Sequence, residues 1–178
     1  IRIANPRVIF VVDPVLGDEG KLFVSDAIAD AVLNGLVPRA DWLAPNAFEL
    51  GLMAGRTIED VEAARDASRR FGKPVITTGL RTATGIGVLY ASPAADWFCE
   101  TPRLPRAPKG TGDLFTALFT ARRILGQAPA IALEAATGAT YDVIVRSLAA
   151  ESDDLVLPEA QDLLADPVTW PTSRALER

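Results

Sequence analysis

The chain lacks histidine altogether and has one cysteine, Cys99, among its 178 residues. Without histidine there is no Ser-His-Asp or Cys-His nucleophile system and no His-ligated metal site. A single cysteine excludes an intrachain disulfide and a Cys-cluster zinc site. Chemistry in this chain therefore runs on Asp, Glu, Thr, Lys, Arg and backbone groups, a set suited to hard cations and phosphate. No apolar run approaches the length of a transmembrane helix, and no signal-peptide pattern opens the sequence. That reads as no membrane partner and, with the lone cysteine, as a cytoplasmic location. Basic charge is also short: 18 Lys and Arg against 23 Asp and Glu leave a net charge of −5, which argues against a nucleic-acid backbone as partner. An initiating Met is absent too. The chain opens at Ile1 and reads as processed, cut or part of something longer.

What is present is an ordinary globular balance, 49% hydrophobic and 23% charged, spread over residues 1–178 as one domain. Val8–Val12 is a β-branched run stopped by Asp13-Pro14, which predicts a buried parallel strand. Asp13 to Gly20 is an acidic, glycine-punctuated loop, and Ser25 is placed to cap a helix running to about Val37. A second strand over 41–44 meets Pro45-Asn46, where Asn46 and Glu49 have capping-box spacing. Thr57 to Asp60 starts a helix that Phe71-Gly72 ends, its charges reading as a solvated face. Pro74–Gly79 is a third strand ending in two hydroxyls, Thr77 and Thr78, free to bond phosphate, a hydrated cation or loop backbone. Gly85 to Cys99 reads as a hairpin on the sheet edge. Pro102, Pro105 and Pro108 then form an extended linker. Helices follow over 112–125, 130–150 and 158–164, and the polar tail reads as mobile.

The linker delivers Gly110-Thr111-Gly112-Asp113 to the start of an apolar helix. Free N–H groups and the helix dipole make such a turn an anion site, and glycines let a ligand approach the backbone. Asp113 has two readings there. It stabilises the helix start, or it takes a proton from a hydroxyl while the turn holds developing negative charge. In a parallel α/β sheet, four polar strand or linker ends (Asp13/Asp18, Asn46/Glu49, Thr77/Thr78 and Gly110–Asp113) share one edge and line one crevice.

Taken in order, Asp-Pro-Val-Leu-Gly-Asp, Pro-Asn-Ala-Phe-Glu, Thr-Thr-Gly and Gly-Thr-Gly-Asp resemble the vitamin-kinase branch of the ribokinase-like superfamily, nearest to its pyridoxal kinases. Lys21-Leu22-Phe23-Val24, the Tyr141 helix and Gln161-Asp162 add to that likeness. The resemblance implies a three-layer α/β/α fold with a mostly parallel central sheet. It implies ATP-dependent phosphorylation of the 5′-hydroxymethyl group of pyridoxal, pyridoxine or pyridoxamine, with ATP as co-substrate, Mg2+, optionally K+, and a homodimer. Asp113 would be the base, and Gly110, Thr111 and Gly112 would hold the transferring phosphoryl group. Asp13 and Glu49 would face the metal and phosphates, with Asp18, Asn46 and Glu49 toward the nucleotide. Thr77 and Thr78 would bond phosphate or a monovalent cation, and Phe23 would cover the triphosphate. The alternatives are a hydroxymethylpyrimidine (phosphate) kinase, or a truncated nucleotide-binding protein without catalysis. Three departures stand out. Ala44 replaces a frequent threonine, Lys109 precedes the glycine turn, and a preceding segment that carries several strands and most of the vitamin pocket is expected to be missing, leaving an open sheet edge.

Overall fold

The computed structural model describes residues 3–177. Its strands are β1 (Val11–Val12), β2 (Gly17–Asp18), β3 (Lys21–Leu22), β4 (Trp42–Leu43), β5 (Val75–Arg81), β6 (Gly85–Ala91), β7 (Asp96–Pro102) and β8 (Arg174–Ala175). The α-helices are α1 (Asp26–Ala31), α2 (Ala47–Ala54), α3 (Val61–Arg69), α4 (Thr111–Ile124), α5 (Pro129–Ala149) and α6 (Gln161–Ala165). A six-stranded sheet runs in the order β1-β4-β5-β6-β7-β8, with β2 and β3 as a separate hairpin. β1, β4 and β5 are parallel to one another, and β5 through β8 pair antiparallel.

Side-chain alternation along the strands builds the two outer layers. Val75, Leu89 and Phe98 point to one face with Leu43 of β4 and pack with Leu50 of α2 and Ala64 and Ala67 of α3. Their neighbours Ile76, Val88, Tyr90 and Cys99 point to the other face, against Phe115, Phe119, Leu133 and Ala136 of α4 and α5. The period of two thus buries both faces and gives the α/β/α layering. Burial of Cys99 pushes its thiol up to about 12, so it is a core residue and not a nucleophile.

Several local expectations are corrected. The first strand covers only Val11–Val12, because Phe10 is diverted to Asp41: its N–H donates to Asp41 Oδ2 at 2.7 Å and its carbonyl accepts from the Asp41 N–H at 2.7 Å. Ser25 precedes α1 but its side chain makes no cap. The predicted long helix loosens into a wide turn over Val32–Leu36 and a tight one over Val37–Arg39, where Asn34-Gly35 has poor helix propensity. The Lys73 ammonium closes that end on the carbonyls of Val37, Pro38 and Ala40. Asp60, not Thr57, caps α3, its Oδ1 accepting from the Ala63 N–H at 2.7 Å. That helix is not only a solvated face, since Arg69 pairs with the buried Asp96.

The hairpin is not the sheet edge, because the tail returns as β8 alongside β7. Nor is the tail loose. Asp142 Oδ2 accepts from the N–H groups of Val168 and Thr169 at 2.7 and 2.9 Å, and Glu134 Oε1 accepts from Ser173 N–H and hydroxyl at 2.9 and 2.7 Å. Among the described residues β1 is paired on one side only.

Candidate active site

The carboxyl ends of β1, β4 and β5 are stitched side by side. Ala44 N–H donates to Val12 O at 2.8 Å, and Thr78 N–H donates to Pro45 O at 3.0 Å, with Asn46 and Thr78 bridged in parallel. Asn46 is the centre of this edge. Its Oδ1 accepts from the Glu49 N–H at 2.9 Å, while Glu49 Oε2 accepts from the Asn46 N–H at 2.9 Å, so the predicted capping box is made. The same two side chains reach across to the loop after β1. Asn46 Nδ2 donates to Gly17 O at 2.8 Å, and Glu49 Oε1 accepts from Leu16 N–H at 2.7 Å and Gly17 N–H at 3.4 Å.

Glu49 is 3% exposed and has three backbone donors on its two oxygens. Burial still pushes its pKa up; those donors oppose the shift and the charge of Asp18 adds to it. Its work in this fold is to hold the 13–18 loop.

That loop leads into the β2–β3 hairpin, turned by Glu19 and Gly20, both at positive φ (49° and 80°), as a right-twisted two-residue hairpin requires. Phe23 N–H closes it on Leu16 O at 2.8 Å, and Arg81 pairs with Glu19 at its tip at 2.6 Å. Phe23 itself is 67% exposed. Between hairpin, α2 and the end of β5 lies a cleft of about 1030 Å3, lined by Asp18, Gly20, Phe48, Gly51, Arg56 and Arg81 among others.

Asp13 faces a second concavity, about 390 Å3, that it shares with Asp113, Thr116, Ala117 and Thr120 of α4. Thr116 Oγ1 donates to Asp13 Oδ2 at 3.0 Å. The Val15 N–H also bonds the Asp13 carboxylate, and Val15 is held at φ +46°, a strained conformation for a β-branched residue. Burial is the main reason the Asp13 carboxyl is pushed up to about 6; Thr116 opposes this, and the charges of Glu49 and Asp113 reinforce it.

Opposite Asp13 is the start of α4. Gly110 sits at φ +83°, in the left-handed region, and no side chain caps the helix. The Thr111 hydroxyl donates to Pro108 O at 2.7 Å and braces the turn from outside. A Cβ on Gly112 would meet nothing within 4 Å, so packing does not explain the glycine, and the space it leaves lies at an uncapped helix start.

The structure thus brings together Asp13, Asp113 and the Gly110–Gly112 turn, with Asn46 and Glu49 as braces and Asp18 and Phe23 on the hairpin. Thr77 is not brought to this edge. It is fully buried with its hydroxyl 3.4 Å from Ser68 Oγ, facing α3, because strand alternation and the bulge between Thr77 and Leu80 leave Thr78 as the residue at the open end. Thr116 was not among the sequence candidates. It lies one turn after Asp113, but its partner is 103 positions away.

Among the described residues, no three His, Cys, Asp or Glu side chains are grouped closely enough to hold a metal ion by themselves. Yet the charges of Glu49 and Asp113 both press on Asp13 at this edge, and an acid so placed suits Mg2+, which takes one or two carboxylates and fills its other positions with water and phosphate oxygens. The chemistry of these residues fits that ion, and Asp13 is the acid facing the concavity.

Residues 2–156 match the family model described as phosphomethylpyrimidine kinase. Pyridoxal kinase PdxY of Leifsonia xyli subsp. xyli is 33% identical over 176 residues, covering 94% of this chain and 62% of that protein. The pyridoxine/pyridoxal/pyridoxamine kinase of Bordetella avium is 33% identical over 183 residues, covering 96% of this chain and 60% of that protein. The chain therefore spans less than two thirds of these relatives' length. Among solved structures, pyridoxal kinase from Entamoeba histolytica superposes with a TM-score of 0.88 at 22% identity over 97% of this chain and 64% of that one. Pyridoxal kinase from Leishmania donovani, in complex with ADP and pyridoxine, gives 0.84 at 24% identity over 95% and 61%. At these identities the structural likeness is one of fold.

Proposed function

The chain belongs to the phosphomethylpyrimidine kinase family, and from that premise we propose that it forms the nucleotide-binding and catalytic part of an ATP-dependent kinase for the hydroxymethyl group of a B6 vitamer. The observation that carries this reading is the uncapped start of α4, opened by Gly110 and cleared by Gly112, with Asp113 and Asp13 on one concavity beside it.

In this reading Asp113 accepts the hydroxyl proton of the substrate as its oxygen attacks the γ-phosphorus of ATP. The new O–P bond forms as the bond to the β-phosphate oxygen breaks, ADP leaves, and the proton stays on Asp113 until water removes it. The N–H groups of the 110–113 turn hold the transferring phosphoryl oxygens, which spread negative charge as the bond to ADP stretches. Asp13 faces the phosphates from β1, and Mg2+ bound with the nucleotide supplies the neutralising charge there. Asn46 and Glu49 keep the 13–18 loop in register, and Asp18 and Phe23 close over the nucleotide from the hairpin. Thr78 takes the role first given jointly to Thr77 and Thr78, toward phosphate or K+. No described helix is long and apolar enough to cross a membrane. A homodimer and a cytoplasmic location complete the reading.

The names of the relatives favour a B6 vitamer, whereas the family description favours a hydroxymethylpyrimidine. Measuring ADP release with pyridoxal, pyridoxine, pyridoxamine and hydroxymethylpyrimidine in parallel separates them. Turnover is expected with pyridoxal. Turnover with the pyrimidine alone transfers the assignment to the second reading, and ATP binding without turnover on any of the four leaves a non-catalytic nucleotide-binding protein.

A further inference from the structure

A threonine inside a helix ordinarily turns its hydroxyl back to the carbonyl four residues earlier. Thr116 does not. Its Oγ1 donates across the concavity to Asp13 Oδ2 at 3.0 Å, joining the end of β1 to the helix that carries the glycine turn. Asp113 and Thr116 are three positions apart on α4, so both lie on one face, and both line the concavity with Asp13. Among the described residues the other hydrogen bond of Asp13 is local, from the N–H of the strained Val15 two residues on. A short acid at the end of a two-residue strand, pressed by the charges of Glu49 and Asp113, has every reason to rotate away from them. The hydroxyl of Thr116 occupies one carboxylate oxygen and fixes the direction in which the other points.

We infer that Thr116 is a positioning residue, whose hydroxyl orients the Asp13 carboxylate toward the divalent cation carried in with the nucleotide. This rests on the proposed phosphotransfer site but adds a residue to it. Thr120, one turn further along the same concavity, has no acid assigned to it and serves as a control for hydroxyl loss on this face.

The test is Mn2+ binding, followed by electron paramagnetic resonance in the presence of a non-hydrolysable ATP analogue, for wild type, Thr116→Val, Thr116→Ser and Thr120→Val. Loss of an outer hydrogen bond to a metal ligand typically weakens binding roughly tenfold or more. Thr116→Val is expected to show that loss, while Thr116→Ser and Thr120→Val stay within about twofold of wild type. In the Asp13→Asn background, Thr116→Val is expected to add nothing, since its partner charge is gone. Unchanged binding in Thr116→Val overturns the inference, as does an undiminished loss on the Asp13→Asn background, which marks a packing effect. Wild type that binds the analogue but no Mn2+ overturns it together with the metal part of the functional reading. Wild type that binds both, with variants indistinguishable, overturns the inference alone.

Discussion

The two halves of the sheet are built differently. On the antiparallel side, β6 and β7 are seven residues each and pair without a break along their length. They pack on α5, a 21-residue helix with Leu133, Ala136 and Val143 wholly buried, and the tail is pinned across that helix by Asp142 and Glu134. On the parallel side, β1 and β4 are two residues each, a β-branched residue is strained, and two acids are buried against their preference. Stability and polar function therefore reside in different halves of the sheet. Regular hydrogen bonding and apolar burial hold the antiparallel half, while the parallel half spends short strands, strain and acid–acid repulsion on bringing polar groups to one edge.

That division can be broken or sharpened by substitution. The largest effect is expected from Asp113→Asn, which removes the proposed base from an exposed helix start. Turnover in the active enzyme is expected to fall by about 10^2–10^4-fold with little change in melting temperature. Near-normal turnover removes Asp113 from the chemistry. The mirror-image change is Leu133→Ala in the core of the antiparallel half, fully buried against the sheet. Denaturant unfolding is expected to show a loss of about 2–5 kcal/mol, with turnover per folded molecule intact.

Asp13→Asn sharpens the contrast further, because it is expected to stabilise. Its folded pKa, about 6, lies above the ordinary carboxylate value of 3.8. The folded state therefore holds the proton more tightly, and ionising Asp13 above about pH 6 works against the fold. The Asn variant should be more stable by about 1–3 kcal/mol at pH 8, with the gain shrinking through pH 6 and gone below about pH 4. Denaturation curves at pH 4, 6 and 8 check this, and a pH-independent difference refutes the electrostatic cause. Glu49→Gln is expected to have the smallest effect, a net loss of about 1 kcal/mol. The lost charge-assisted bonds to Leu16, Gly17 and Asn46 are offset by relief of its unfavourable burial.

What was legible in the sequence followed the same divide between local and distant causes. The Asn46–Glu49 box and the glycine turn before α4 depend on residues a few positions apart, and they formed as read. The β2–β3 hairpin carried a faint signal, Glu19-Gly20, but glutamate is an unusual residue at positive φ and the stretch reads as an irregular loop. Thr77 and Thr78 look equivalent as a sequence; only strand alternation and a bulge separate a residue packed on Ser68 from one at the open end. The docked tail and Thr116 were invisible for one reason. Their partners, Asp142, Glu134 and Asp13, lie 26, 39 and 103 positions away, and nothing local selects them.

In the proposed function the Gly110–Asp113 turn receives the phosphates of a nucleotide. Amide hydrogen exchange with and without ATP and Mg2+ tests it most directly. Exchange at Thr111, Gly112 and Asp113 is expected to slow on binding, with the 13–18 loop following, while β6 and β7 stay as they were. Unchanged exchange at those three amides under saturating nucleotide, or protection confined to the antiparallel half, would contradict it.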